Sequence, residues 1–150
     1  MKAKDFTLKD TGLKDVTLSA FEGKKNVVLL FFPLAFSSVC TTELCTTRDN
    51  MKIYDSLDAE VIAISVDSTF SLKAFKEANN LNYTLLSDFN KNVSDDYDVL
   101  YEDYFGMKGV SKRAVFVISK TGEIEHIEIL ENSADMPDLN KVQEVLVELN

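Results

Sequence analysis

Two uninterrupted apolar runs constrain the fold of this chain more than any other feature. They occupy residues 27–32 and 61–66, and their lack of polar alternation predicts strands buried on both faces of a central sheet. A helix is predicted after each run. The first ends near residue 57, and the second is capped by Asp67 or Ser68 and ends near Asn79. The chain therefore begins its core with a β-α-β-α order.

The remaining segments complete an α/β architecture. In chain order they are a hairpin or a strand with an edge piece at 5–21, a short strand at 83–86, a short helix at 92–99, a strand-turn-strand unit at 113–130 and an amphipathic helix at 136–149 with Pro137 in its first turn. A mixed central β-sheet flanked by helices follows from this order. That is the arrangement of a thioredoxin-like fold, and we expect residues 1–150 to form one domain.

Composition and charge disfavour several classes of function. The net charge of −9 would repel nucleic acid and anionic membrane surfaces. No apolar run approaches the roughly 18 residues that span a bilayer, and the first residues lack the apolar stretch of a signal peptide. We therefore expect a cytoplasmic protein without membrane or nucleic-acid partners. In such a reducing compartment the two cysteines are not expected to form a permanent disulfide.

Cys40 is the candidate nucleophile. It follows a loop that contains Pro33 and Ser37, and it is predicted in the first turn of the helix after that loop. A thiolate is the nucleophilic form of cysteine, and a helix N-terminus favours that form. A buried, inert cysteine is the alternative. The proline, the neighbouring hydroxyl and the helix start favour a reactive residue.

The spacing Pro-x-x-x-Ser-x-x-Cys at Pro33, Ser37 and Cys40 resembles the peroxidatic site of peroxiredoxins. The resemblance extends over nearly the whole chain, from residues 5–8 through residues 31–49 and 109–118 to the terminal helix. Within the family it is closest to the alkyl hydroperoxide reductase E-like branch and the bacterioferritin-comigratory (Q-type) branch. It implies a thioredoxin-like fold and a cofactor-free enzyme that reduces hydrogen peroxide and organic hydroperoxides, leaving a sulfenic acid on the cysteine.

The resemblance also implies roles for residues around Cys40. Arg113 would stabilise charge on the peroxide, and Glu43 would pair with Arg113 and orient it. Ser37, where most members carry threonine, would supply a hydroxyl to the peroxide, while Pro33 would shape the loop and shield the thiolate. From the residues alone, Arg113 could instead be an exposed strand residue, Glu43 an acid of the first helical turn and Ser37 a helix cap.

Cys45 decides between two catalytic cycles. Its helical neighbours are polar, so we expect it on a wetter face than Cys40. In the Q-type branch a cysteine five residues after the peroxidatic one can resolve it as an intramolecular disulfide, which a thioredoxin or glutaredoxin-like partner would then reduce. The E-like branch lacks this residue and implies a one-cysteine peroxidase. In an ideal helix the two Cα atoms lie about 8.6 Å apart, so a disulfide requires local unwinding.

Three other functions compete with the peroxidase hypothesis. A thioredoxin-type disulfide oxidoreductase would need Cys-x-x-Cys, whereas this chain has four residues between its cysteines. A copper-binding module would use Cys40, Cys45 and His126, although a lone strand histidine is seldom a ligand. A catalytically silent interaction protein is the third. No metal or cofactor is expected, and the oligomeric state is open between monomer and homodimer.

Overall fold

The computed structural model describes residues 1–150 and contains seven strands and five α-helices. The strands are β1 (Thr7–Asp10), β2 (Asp15–Thr17), β3 (Asn26–Phe31), β4 (Ala59–Ser65), β5 (Thr84–Ser87), β6 (Arg113–Ile118) and β7 (Ile124–Leu130). The helices are α1 (Ser38–Asp49), α2 (Met51–Ser56), α3 (Thr69–Ala78), α4 (Asn92–Asp96) and α5 (Leu139–Leu149), with a 3₁₀ turn at Leu18–Phe21. No helix combines the length and apolar character needed to cross a bilayer.

All seven strands belong to one mixed sheet, in the order β2-β1-β5-β4-β3-β6-β7. Strand β4 pairs in parallel with both β3 and β5, while the other pairings are antiparallel. Alternate residues of β3 enter two separate apolar clusters, one on each face of the sheet. Burial on both faces explains why the strand has no polar alternation. The predicted thioredoxin-like fold, a mixed sheet flanked by helices, is confirmed.

The helix predicted to end near residue 57 is interrupted at Asn50, so that prediction was wrong in its length. Asn50 ends α1, its backbone N–H reaching Thr47 O, and α2 begins at the next residue. Its side-chain amide also donates to Thr46 O, at 2.9 Å. An asparagine that bonds its own helix in this way competes with the backbone ladder. The first turn of α1 does carry Cys40, as predicted.

The terminal helix also begins later than predicted. Pro137 precedes α5 instead of occupying its first turn, because Asp138 is the N-cap and its side chain accepts from Lys141 N. The short helix α4 ends at Asp96, three residues earlier than predicted. Asp98 beyond it has a φ of 58°, in the left-handed region that ends helices.

Candidate active site

The loop after β3 and the start of β6 place Cys40 and Arg113 at the same end of the sheet. Strand β3 ends at Phe31, and residues 32–37 lead from it into α1. Strand β6 lies antiparallel to β3, with Phe31 opposite Ala114. Arg113, the first residue of β6, is therefore placed beside the loop that precedes Cys40. Residues more than 70 positions apart meet here because of strand register.

The Cys40 thiol is free and fully buried. It packs in the same apolar cluster as Leu44 and Met51. Pro33, in the preceding loop, is buried as well. The sulfur therefore lies at the helix N-terminus but away from bulk water.

Arg113 and Glu43 form a buried ion pair. Arg113 Nη1 donates to Glu43 Oε1 at 2.8 Å, with side-chain exposures of 1% and 0%. Arg113 Nη2 donates to the carbonyl of Ser133 at 2.9 Å, which fixes the guanidinium from its other side. The contact expected between these two side chains is present. The competing expectation of a solvent-facing arginine is wrong, because Arg113 is buried. The expectation of a first-turn glutamate is also wrong, because Glu43 lies buried in the second turn of α1.

Two buried atoms of this pair remain without a hydrogen-bond partner. They are Arg113 Nε and Glu43 Oε2. Burial raises the pKa of Glu43 to about 7, although Arg113 opposes the shift. For Arg113, burial favours the neutral form, but Glu43 and the nearby Cys40 sulfur together raise its pKa. The guanidinium stays charged, and it can interact with an anion at the sulfur.

Ser37 occupies the N-cap position of α1 but makes no side-chain capping bond. Its hydroxyl instead donates to Leu34 O at 2.7 Å, while its carbonyl accepts from Thr41 N. Ser37 therefore lies at the cap position that the structural alternative gave it, but its hydroxyl does not cap the helix. With its proton directed at Leu34, the Ser37 oxygen can accept a hydrogen bond from a substrate.

Cys45 is free and half-buried, on a wetter face than Cys40 as predicted. Its Sγ lies 3.7 Å from Asn79 Oδ1 at the end of α3. Arg48 Nη1 donates to the carbonyl of the same asparagine at 2.6 Å. Because α1 is continuous from Ser38 to Asp49, intact helical turns separate the two cysteines.

His126 lies in β7, the strand in which it was predicted, where it is half-buried and its Nε2 has no hydrogen-bond partner. It does not join Cys40 and Cys45 in a cluster, and no group of three potential metal-ligating side chains is present anywhere in the structure. This arrangement gives the copper-binding alternative no support.

Two residues that help to build this site were not identified from the sequence. Ser133 offers only its backbone carbonyl, which no sequence pattern reveals. Asp67 was considered only as a helix cap, yet Ser68 caps α3 and the Asp67 carboxylate reaches Ala35 in the loop before Cys40. An aspartate directly after a buried strand could have indicated this, since parallel strands end at one edge of the sheet.

This chain is similar in sequence to known proteins. The AhpC/TSA family model matches residues 1–127. A chloroplastic 2-cysteine peroxiredoxin of Chattonella marina var. antiqua is 40% identical over 135 residues, 83% of this chain and 67% of that protein. Alkyl hydroperoxide reductase E of Mycobacterium tuberculosis is 37% identical over 129 residues, 85% of this chain and 82% of that protein.

Among solved structures, the peroxidoxin BcpB of Mycobacterium tuberculosis superposes with a TM-score of 0.89 at 29% identity, covering 100% of this chain and 96% of that one. The similarity thus includes the fold as well as the sequence. The chain spans only 49% to 67% of the length of the chloroplast relatives it matches.

Proposed function

Because the chain belongs to the AhpC/TSA family of peroxiredoxins, we propose that it is a thiol-dependent peroxidase whose nucleophile is Cys40. One observation carries the proposal. The Cys40 thiol, in the first turn of α1, lies beside a guanidinium that is held by a buried carboxylate. Such an arrangement pairs a nucleophile with a fixed positive charge, as peroxide reduction requires.

In the proposed reaction the Cys40 thiolate attacks one oxygen of a hydroperoxide. An S–O bond forms and the O–O bond breaks, so the sulfur is oxidised to a sulfenic acid and the peroxide is reduced. The departing hydroxide or alkoxide takes a proton and leaves as water or an alcohol. Negative charge grows on that leaving oxygen as the bond lengthens, and Arg113 is the group placed to stabilise it.

Ser37 and Pro33 would prepare the substrate for this attack. The Ser37 hydroxyl, already bonded to Leu34 O, would accept the hydrogen bond of the attacked peroxide. Pro33 is buried in the loop and would limit water at the sulfur. Glu43 would act through Arg113 by holding its Nη1.

Cys45 is proposed to resolve the sulfenic acid. Attack by its thiol on Cys40 would form an S–S bond and release water, and a dithiol partner such as thioredoxin or a glutaredoxin-like protein would then reduce the disulfide. A mouse mitochondrial relative, 36% identical over 140 residues, is named a thioredoxin-dependent peroxide reductase. A reducing, cytoplasmic location fits such a cycle, with the enzyme acting as a monomer or a homodimer.

Resolution requires α1 to open, and its threonines favour opening. The hydroxyls of all four threonines donate to the carbonyls four residues earlier, involving Thr41, Thr42, Thr46 and Thr47. This back-bonding weakens helices slightly, and threonine is less favourable in a helix than alanine by up to about 0.7 kcal/mol. The second candidate function, a one-cysteine peroxidase, follows if α1 stays closed.

Peroxide consumption by the purified protein tests the proposal. Cys40→Ser should abolish it without unfolding the chain, because a serine hydroxyl is not ionised at neutral pH. A variant that retains consumption within tenfold of the wild type would contradict the assignment. The mass of the peroxide-treated protein, before and after alkylation, separates the two cycles: loss of both free thiols indicates a disulfide, whereas a sulfenic acid with Cys45 still alkylated indicates a one-cysteine enzyme.

A further inference from the structure

The loop that delivers Cys40 to its helix has little regular structure to hold it. Residues 32–37 lie between β3 and α1 and belong to neither. Phe36 within it has a φ of 69°, in the left-handed region that a residue with a side chain seldom adopts. Such a backbone persists only where surrounding contacts determine it.

One such contact comes from Asp67, just beyond the end of β4. Its Oδ2 accepts a hydrogen bond from the backbone N–H of Ala35, at 2.8 Å and across 32 positions of sequence. The same oxygen accepts from Ser65 Oγ at 2.7 Å. Ala35 lies midway between Pro33 and Ser37, so the carboxylate holds the centre of the loop.

Asp67 is itself fixed by the ends of two strands. Its backbone N–H donates to Ser65 Oγ at 3.2 Å, and its carbonyl accepts from Ser87 Oγ. Ser65 and Ser87 are paired across β4 and β5, and Ser65 is fully buried. The carboxylate therefore projects from a rigid platform and not from a mobile loop.

A capping role does not explain this placement. The N-cap of α3 is Ser68, whose hydroxyl accepts from Ser71 N at 3.1 Å. The Asp67 side chain is directed at the loop and makes both of its bonds through Oδ2 alone. An acceptor oxygen, and not a full negative charge, is what this geometry uses.

We propose that Asp67 is a positioning residue for peroxide reduction: it holds the amide of Ala35 and so fixes Ser37 relative to Cys40. The inference rests on the proposed peroxidase function. The Asp67 carboxylate bonds Ala35 N and Ser65 Oγ, and not the Cys40 sulfur. Its effect passes through the backbone of the loop to the Ser37 hydroxyl, where a small displacement reduces the rate of a well-oriented reaction.

Three variants test the proposal by the second-order rate constant for Cys40 oxidation by hydrogen peroxide. Asp67→Ala removes the acceptor and should lower the constant by about 10- to 100-fold. Asp67→Asn keeps one acceptor oxygen for Ala35 N and Ser65 Oγ and should stay within about threefold of the wild type. Ser68→Ala, the matched control, removes the neighbouring cap of α3 without touching the loop and should also stay within about threefold.

Amide exchange at Ala35 provides a readout that does not depend on catalysis. Protection of this amide should fall in Asp67→Ala but not in Asp67→Asn or Ser68→Ala. An Asp67→Ala enzyme within threefold of the wild type overturns the proposal, as does an Asp67→Asn enzyme as slow as Asp67→Ala. A wild type that does not consume peroxide would overturn the peroxidase function. Unchanged protection of the Ala35 amide in Asp67→Ala would instead show that the Asp67–Ala35 hydrogen bond does not hold the loop.

Discussion

Glu43→Ala should destabilise the protein strongly, because it removes the side-chain partner of a buried guanidinium. Arg113 is 1% exposed, and its Nη1 has Glu43 Oε1 as its hydrogen-bond partner. Its Nε already lacks a partner. Truncating one member of a buried ion pair costs about 3–5 kcal/mol, since the other charge is left uncompensated. Domains of this size have about 5–15 kcal/mol of stability, so the variant should still fold. Its unfolding midpoint should lie at a clearly lower urea concentration than that of the wild type.

Glu43→Gln separates the charge from the hydrogen bond. The amide oxygen can still accept from Arg113 Nη1, so the variant should lose far less stability than Glu43→Ala. Its stability relative to wild type should also depend on pH. Burial raises the Glu43 pKa from 4.5 to about 7 on folding. Between these values the folded state holds a proton that the unfolded state has released, so the contribution of Glu43 to stability falls as pH rises.

Urea unfolding of wild type, Glu43→Gln and Glu43→Ala between pH 4.5 and 8 measures these effects. The free energy of unfolding of wild type, relative to that of Glu43→Gln, should fall as pH rises across this range. Thr46→Ala, at an exposed and uncharged position of the same helix, is the control, and its difference in unfolding free energy from wild type should not change with pH. A Glu43→Ala protein whose free energy of unfolding lies within about 1 kcal/mol of the wild type would refute this reasoning. So would a difference in unfolding free energy between wild type and Glu43→Gln that does not change with pH.

Further predictions concern the rate and the catalytic cycle. Arg113→Lys keeps the charge but loses the fork that reaches both Glu43 and Ser133, so peroxide reduction measured by stopped flow should slow about 10²-fold; an unchanged rate would assign Arg113 a structural role only. In the same assay, Ser37→Ala should reduce peroxide more slowly than the wild type, and Ser37→Thr should do so at an equal or higher rate. An alanine variant with the wild-type rate would show that the Ser37 hydroxyl takes no part in the reaction. Cys45→Ser should keep the first turnover but accumulate sulfenic or sulfinic acid by mass, and hydrogen exchange should show residues 38–48 losing protection on oxidation only in the wild type.

Local sequence pattern was enough to predict the elements that carry the site. The apolar runs of β3 and β4 indicated strands buried on both faces, and the loop with Pro33 and Ser37 indicated a helix whose first turn carries Cys40. These features depend on residues close together in sequence, so periodicity and turn chemistry report them directly. Helix ends were less well predicted, because Asn50 and Asp138 act through single side-chain bonds to the backbone.

Only the tertiary structure decided how distant parts of the chain meet around the sulfur. Only the family resemblance indicated that Arg113 pairs with Glu43, 70 positions away, because nothing local to Arg113 shows that it is buried. The contact follows from the register that sets Phe31 opposite Ala114. The carbonyl of Ser133 and the carboxylate of Asp67 reach the site through the same sheet edge. The sequence by itself determined which strand and helix present the nucleophile. Strand order and register, which arise from packing between distant segments, determined the charges and hydrogen bonds around it.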